Sequence, residues 1–247
     1  MKNDIVLHKG FYWPKKDGSQ EITSEYAHTD STCFNLMNKF QDIPDNVSKY
    51  VDTKNVIVQA GGNAGFYVKR YSELFNTVYT FEPDPLNFLC LNLNVMSPNV
   101  YKFQAFLGDE HKCQKINNTY ATLGHGGSHV DIDSIGNIPT LRIDDLNLKE
   151  CNLIHLDIEG YEKFALLGGI ETLKRCKPVV CIEDCEQWKQ RYNTSLSEIE
   201  SILFDISYQR ICKVDGDTDL IYKYVNRVFA QKKIVNHHAL KNFFFWH

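Results

Sequence analysis

Asn55-Val56-Ile57-Val58-Gln59-Ala60-Gly61-Gly62-Asn63-Ala64-Gly65 reads as a buried strand that runs straight into a glycine-rich turn. A second apolar run, Thr77–Glu82, closes on Phe81-Glu82-Pro83-Asp84, and Glu82 follows Gly65 by 17 positions. A strand, a glycine turn, a helix and a second strand ending in an acid make a nucleoside-binding unit. Glycine lets backbone approach a ligand that a β-carbon would repel. A carboxylate at the end of the second strand can accept both hydroxyls of a ribose.

The pattern continues outward from this unit. Phe66–Phe75 predicts a helix, with Tyr67, Tyr71, Leu74 and Phe75 on one face. Pro85 suits a first helical turn, and Leu86, Leu89, Cys90 and Leu93 form the stripe of a helix over Leu86–Val95. A third strand is expected over Val100–Leu107, ending at Gly108-Asp109, and a fourth over Asn152–Ile158. A helix follows from Gly160 to about Lys174, interrupted at Gly168-Gly169, and then a fifth strand over Pro178–Glu183. Ser197–Ile206 reads as a helix capped by Ser195 or Ser197. Tyr208–Val214 and Asp219–Tyr224 are two strands joined by the tight turn Asp215-Gly216-Asp217.

Strands alternating with helices predict an α/β fold: a mostly parallel sheet, helices on both faces and an antiparallel last strand. Ligands in such sheets bind beyond the carboxyl ends of the strands, near the point where strand order reverses. Gly61–Gly65, Glu82, Asp109 and Asp157–Glu159 all fall at predicted carboxyl ends. Residues 1–50 lack a period and are expected to form an N-terminal cap on a main domain over 51–226. Cys33–Phe40 in that cap reads as a short helix. Within the main domain, 110–138 is an insertion, read as a loop or short hairpin from Gly124, Gly126, Gly127 and Gly136. The tail 227–247 carries Phe243-Phe244-Phe245-Trp246, which docks on its own domain or covers the partner in a homodimer.

Composition narrows the partners. At 247 residues the chain suits one large domain with a small addition. Its net charge of −4 offers no broad basic surface, so a long nucleic acid is a poor partner. No apolar run is long enough to span a bilayer, and Ile5-Val6-Leu7 is too short for a signal peptide, so a cytoplasmic location is expected. The eight cysteines are scattered and read as small buried hydrophobes in a reducing compartment. Cys181 and Cys185 are spaced for one face of a strand, yet core cysteine is the simpler reading. His111, Cys113, His125 and His129 fit no common zinc spacing, and no metal is expected.

Taken in order, Gln59–Gly65, Phe81-Glu82-Pro83, Leu107-Gly108-Asp109 and Leu156-Asp157-Ile158-Glu159-Gly160-Tyr161-Glu162 resemble the FkbM-type methyltransferases over about 55–184. The aspartate–x–glutamate–glycine–x–glutamate run is the distinctive motif. The resemblance implies a Rossmann-like class I methyltransferase fold with a seven-stranded sheet, and S-adenosylmethionine as cofactor. It implies that Gly61, Gly62, Asn63 and Gly65 line the methionine part of the cofactor and that Glu82 holds the ribose hydroxyls. Asp109, with Ala105 or Phe106 nearby, would sit by the adenine amine. Asp157 would stand between cofactor and acceptor, and Glu159 and Glu162 would complete the acidic motif. The implied reaction is O-methylation of a hydroxyl on a small molecule or glycan.

Two positions depart from the family pattern. Gln59 stands where an acid is usual, and the loss of a charged hydrogen bond of roughly 1.5–3 kcal/mol lowers cofactor affinity by about tenfold or more. His155 stands where lysine is common, and a histidine that titrates near neutrality is a candidate base beside Asp157. Other readings stay open at this stage. Glu82 could cap the helix near Pro85, His155 could be a core histidine, and Asp157 and Glu159 could be solvated strand-end charges that share a side with His155 if the strand runs straight. A non-catalytic module that binds the cofactor is the second functional reading, favoured by Gln59. An NAD-dependent oxidoreductase is disfavoured, because Gly61–Gly65 lacks the Gly-x-Gly-x-x-Gly spacing.

Overall fold

The computed structural model describes residues 5–8, 10–14, 42–117, 129–214 and 218–226. The expected helix at Cys33–Phe40, glycines 124, 126 and 127, the turn Asp215-Gly216-Asp217 and the tail 227–247 lie outside these residues. The chain opens with a hairpin, β1 (Ile5–His8) and β2 (Phe11–Pro14), followed by helix α1 over 42–48. Then come β3 (Val56–Ala60), α2 (Phe66–Leu74), β4 (Thr77–Phe81), α3 (Pro85–Asn94) and β5 (Val100–Phe103). Next are β6 (Phe106–Leu107), β7 (Cys113–Asn117), β8 (His129–Ile135) and β9 (Ile138–Leu141). The rest comprises β10 (Leu153–Leu156), α4 (Glu162–Leu167), α5 (Ile170–Cys176), β11 (Val179–Glu183), α6 (Glu186–Lys189), α7 (Leu196–Asp205), β12 (Tyr208–Lys213) and β13 (Asp219–Tyr224).

Seven strands form the central sheet in the order β12-β13-β11-β10-β3-β4-β5. The pairs β11–β10, β10–β3, β3–β4 and β4–β5 are parallel, while β13 is antiparallel to both β11 and β12. This is a Rossmann-like class I methyltransferase sheet. The chain steps from β3 to β4 and β5 on one side and returns to β10 on the other. The crevice outside the carboxyl ends of β3 and β10 is therefore the reversal point where such sheets bind ligands.

Alternation along the strands sends opposite residues to opposite faces. Val58, Ala60, Ile154, Leu156, Val180, Ile182 and Leu220 pack against Ala165, Leu166, Leu173, Ile199 and Leu203 of the α4, α5 and α7 layer. Ile57, Val78, Leu153, Cys181 and Ile221 pack against Ile43, Val47, Val68, Tyr71 and Leu91 from α1, α2 and α3. Helix ends follow the local chemistry. Asp84 caps α3 by accepting from the backbone N–H groups of Leu86 and Asn87, with Pro85 in the first turn. Ser195 and Glu198 form a capping box on α7.

The third strand differs from expectation. The apolar run Val100–Leu107 bends at Gln104-Ala105, so only β5 stays in the central sheet. Its remainder, β6, pairs in parallel with β9, and β9, β7 and β8 complete a second, four-stranded sheet. The insertion thus contains an antiparallel hairpin, β7–β8, among its described residues. Its apolar side, Phe106, Val130 and Ile138, seats on Tyr161 and Tyr192, and the Tyr192 hydroxyl donates to the Val130 carbonyl at 3.1 Å. The opening hairpin is anchored near the glycine turn. Asn94 accepts from Tyr12 N and donates to the carbonyls of Tyr12 and Ala64, and Phe11 meets Phe66 edge-on. No helix among the described residues is long and apolar enough to cross a membrane.

Candidate active site

The glycine turn is held from two sides. Gly61 N and Gly62 N donate to the Phe81 carbonyl, and Asp157 N donates to the Ala60 carbonyl at 3.1 Å. Three strand ends, those of β3, β4 and β10, therefore meet at one point. Gly61 has φ +87°, and a β-carbon there would lie 1.9 Å from the carbonyl oxygen of Asp157. The absence of a side chain at Gly61 is thus demanded by the protein's own backbone as much as by any ligand.

Glu82 ties the turn to the next helix. One carboxylate oxygen accepts from Asn63 N at 2.6 Å and the other from Asp84 N at 2.8 Å. Glu82 does not cap α3, because Asp84 fills that role. Burial pushes the Glu82 carboxyl up to about 8, against the pull of the two backbone N–H donors. A carboxylate offers about four acceptor sites, and with the Asn87 side chain also bonded to Glu82, three are filled and one is left for a ligand hydroxyl.

Gln59 is fully buried and has an internal use. Its amide nitrogen donates to the Gly61 carbonyl at 3.0 Å, and its oxygen accepts from the Thr80 hydroxyl at 2.6 Å. Where an acid would present a charge, this amide pins the turn to β4.

The acidic run turns sharply instead of continuing as a strand. β10 ends at Leu156, and Glu159 and Gly160 follow with φ of 58° and 97°. Glu162, buried at the head of α4, accepts from Ile158 N and Gly160 N and so closes this turn. Glu183, at the end of β11, joins the group. Burial first, and then the neighbouring carboxylates, raises Glu159 to about 8, Glu162 to about 7 and Glu183 to about 10. Asp157, Glu159, Glu162 and Glu183 form one acidic cluster beside the glycine turn. Tyr161 and Phe164 stack there, Tyr192 meets both edge-on, and the group links the turn to the second sheet.

The structure separates two of the predicted residues from this group. His155 is fully buried within the sheet, with Nδ1 2.7 Å from the Tyr71 hydroxyl and the Tyr67 ring stacked on it. It does not stand at the mouth of the site, and the expected shared side with Glu159 is lost because the strand ends before that residue. Asp109 follows β6, beside the second sheet, and its charge acts on Lys112 and Tyr161. Sequence reasoning missed Glu183 and Thr80. An acid closing an apolar strand is the same signal that marks Glu82, so Glu183 was findable. Thr80 carries no such signal.

The chain matches the model of the methyltransferase FkbM domain over residues 59–210, more than half of its length. Among solved structures it is similar to the methyltransferase FkbM from Methylobacillus flagellatus, with 19% identity, 69% of this chain and 44% of that chain covered, and a TM-score of 0.47. It is also similar to magnesium protoporphyrin IX methyltransferase from Synechocystis with bound SAM, with 11% identity, 80% and 86% covered, and a TM-score of 0.44. A TehB-like SAM-dependent methyltransferase from Corynebacterium glutamicum gives 10% identity, 80% and 100% covered, and a TM-score of 0.43. The chain spans 44% of the length of the first of these. No curated protein matches it. By the extent of the domain match, the chain belongs to the FkbM methyltransferase domain family.

Proposed function

We propose that this chain is an S-adenosylmethionine-dependent methyltransferase acting on a hydroxyl of a small molecule or glycan. The observation that carries the reading is Glu82, an acid bonded to the glycine turn at the reversal point of the sheet with an acceptor site left open. Gly61, Gly62, Asn63 and Gly65 are assigned to the methionine part of the cofactor and Glu82 to its ribose, while Asp109, beside the second sheet, is assigned to the adenine on the family resemblance alone. When bound, S-adenosylmethionine supplies an already activated methyl group. The protein's work is to align the acceptor, exclude water and take up a proton. Asp157 is assigned as the group that accepts the hydroxyl proton, a contribution of about 10²–10⁴-fold. Glu159 shares the same cluster, and its raised proton affinity keeps it neutral there, so the proton taken by Asp157 passes on to solvent. His155, buried within the sheet and bonded to Tyr71, is assigned no catalytic role in this reading. The second sheet and the aromatic group at Tyr161 wall the acceptor side. Seven cysteines outside any disulfide, among the described residues, support a reducing, cytoplasmic setting.

A non-catalytic cofactor-binding module is the second reading, and Gln59 favours it. Its amide is engaged by Thr80 and Gly61, so no charge at this position greets an ammonium group. Thermal shift with S-adenosylmethionine, S-adenosylhomocysteine and NAD tests both readings. Either adenosyl ligand at 100 times its dissociation constant stabilises the fold by about 2.7 kcal/mol, and Glu82→Ala abolishes the shift. Absence of any shift with both adenosyl ligands overturns cofactor binding. Full transfer to hydroxylated acceptors by Asp157→Asn overturns the base assignment.

A further inference from the structure

We propose that His155, Cys181 and Asp219 form a buried binding site for a zinc-class divalent cation, separate from the methyl-transfer site. The three residues come from β10, β11 and β13, which are adjacent strands of the central sheet. His155 pairs with Cys181 and Cys181 with Ile221, two positions from Asp219, so all three side chains leave the same face. One ligand atom from each lies within 4.8 Å of the others, and all three residues are buried. Theirs is the group of this kind found among the described residues.

Three observations favour a cation over a plain polar core. First, His155 Nε2 is fully buried and has no hydrogen-bond partner, while Asp219 Oδ1 sits 3.7 Å from it. That gap is too long for a hydrogen bond. It is near the roughly 3.4 Å edge between two ligands held about 2.0–2.1 Å from one tetrahedral ion. Second, the other ring nitrogen is bonded to the Tyr71 hydroxyl at 2.7 Å. A metal-ligating histidine commonly donates its other N–H to an outer partner, which turns the free lone pair toward the ion. Third, the charges balance: a thiolate and a carboxylate with a neutral imidazole carry two negative charges, which a divalent cation cancels in a site too buried for unpaired charge. A nitrogen, sulfur and oxygen donor set suits zinc better than calcium or magnesium. Binding would release the Cys181 thiol proton to solvent, and a water completes the fourth position. Such an ion joins the antiparallel β13 to the parallel strands β11 and β10.

The test uses the full chain incubated with zinc, desalted and measured by elemental analysis, and in parallel charged with cobalt(II). The expected result is about one zinc per chain and a tetrahedral cobalt spectrum with a thiolate charge-transfer band. Cys181→Ser and Asp219→Asn should lower zinc content at least tenfold, with loss of the thiolate band in Cys181→Ser. Cys113→Ser, which alters an exposed thiol, should leave both unchanged. Tyr71→Phe should weaken zinc about 10–100-fold yet keep the spectrum at saturating metal. Wild-type protein that takes up well under one equivalent and shows no tetrahedral cobalt spectrum overturns the proposal. Zinc content and spectrum that persist in folded Cys181→Ser or Asp219→Asn overturn it too. If either variant fails to fold, the wild-type measurement decides alone.

Discussion

The two faces of the central sheet are built differently. The face under α4, α5 and α7 carries Val58, Ala60, Ile154, Leu156, Val180, Ile182 and Leu220, an unbroken apolar layer. The face under α1, α2 and α3 interrupts its apolar layer with Thr80, Gln59, His155, Cys181 and Asp219, which cross it as a polar seam from β4 to β13. One face contributes burial alone. The other holds its buried polar groups through specific partners, and those partners reach the glycine turn. Purely apolar packing and partnered polar groups thus occupy opposite sides of the same strands.

Substitutions can break this contrast. Gly61→Ala should have the largest effect, because its β-carbon collides with the Asp157 carbonyl and its φ is left-handed. Strain and overpacking together predict a loss of about 2–6 kcal/mol by urea unfolding. On the apolar face Leu156→Ala should cost about 2–5 kcal/mol by the same measurement, with cofactor-induced thermal shift retained. On the polar face Gln59→Leu keeps much of the volume but strands the Thr80 hydroxyl and the Gly61 carbonyl, a loss of about 1–3 kcal/mol. It should also weaken cofactor binding, and an unchanged thermal shift would show that the seam does not support the turn.

Titration sharpens the contrast by the smallest steps. Glu82 and Glu159 are raised to about 8 and Glu162 to about 7 by burial, above the ordinary value of about 4.3. An acid with a raised folded-state pKa binds its proton more tightly when folded. Its stabilising contribution is therefore complete below about pH 4.3 and is lost as pH rises toward 8. Each such group changes stability by at most about 1.4 kcal/mol per pH unit. Melting temperature should fall between pH 5 and 8, and Glu82→Gln should flatten that slope. An identical slope in the variant would mean that Glu82 is ionised throughout.

Much of this was legible in the sequence. β3 lies at the expected Val56–Ala60, and the apolar runs of β4, β10 and β11 were equally readable. Buried parallel strands announce themselves as short apolar runs closed by glycine or acid. The bend within Val100–Leu107 was not readable, because β6 leaves the sheet to pair with β9, about thirty residues onward, and local pattern carries no trace of that partner. His155 posed the same difficulty. Its burial depends on Tyr71, 84 residues away in sequence. Periodicity reveals which side of a strand a residue takes, but not what will be packed over it.

The left-handed backbone at Glu159 is unusual for its residue type. Where this chain adopts that conformation elsewhere, asparagine takes three of the places: Asn63, Asn147 and Asn193. Asparagine and glycine tolerate it, and a longer side chain is held there at about 1–3 kcal/mol. A chain selected only for durability would have placed glycine at 159. Glu159→Gly should therefore raise the melting point while it lowers turnover, which would mark the residue as one retained for its reactivity against the preference of its own backbone.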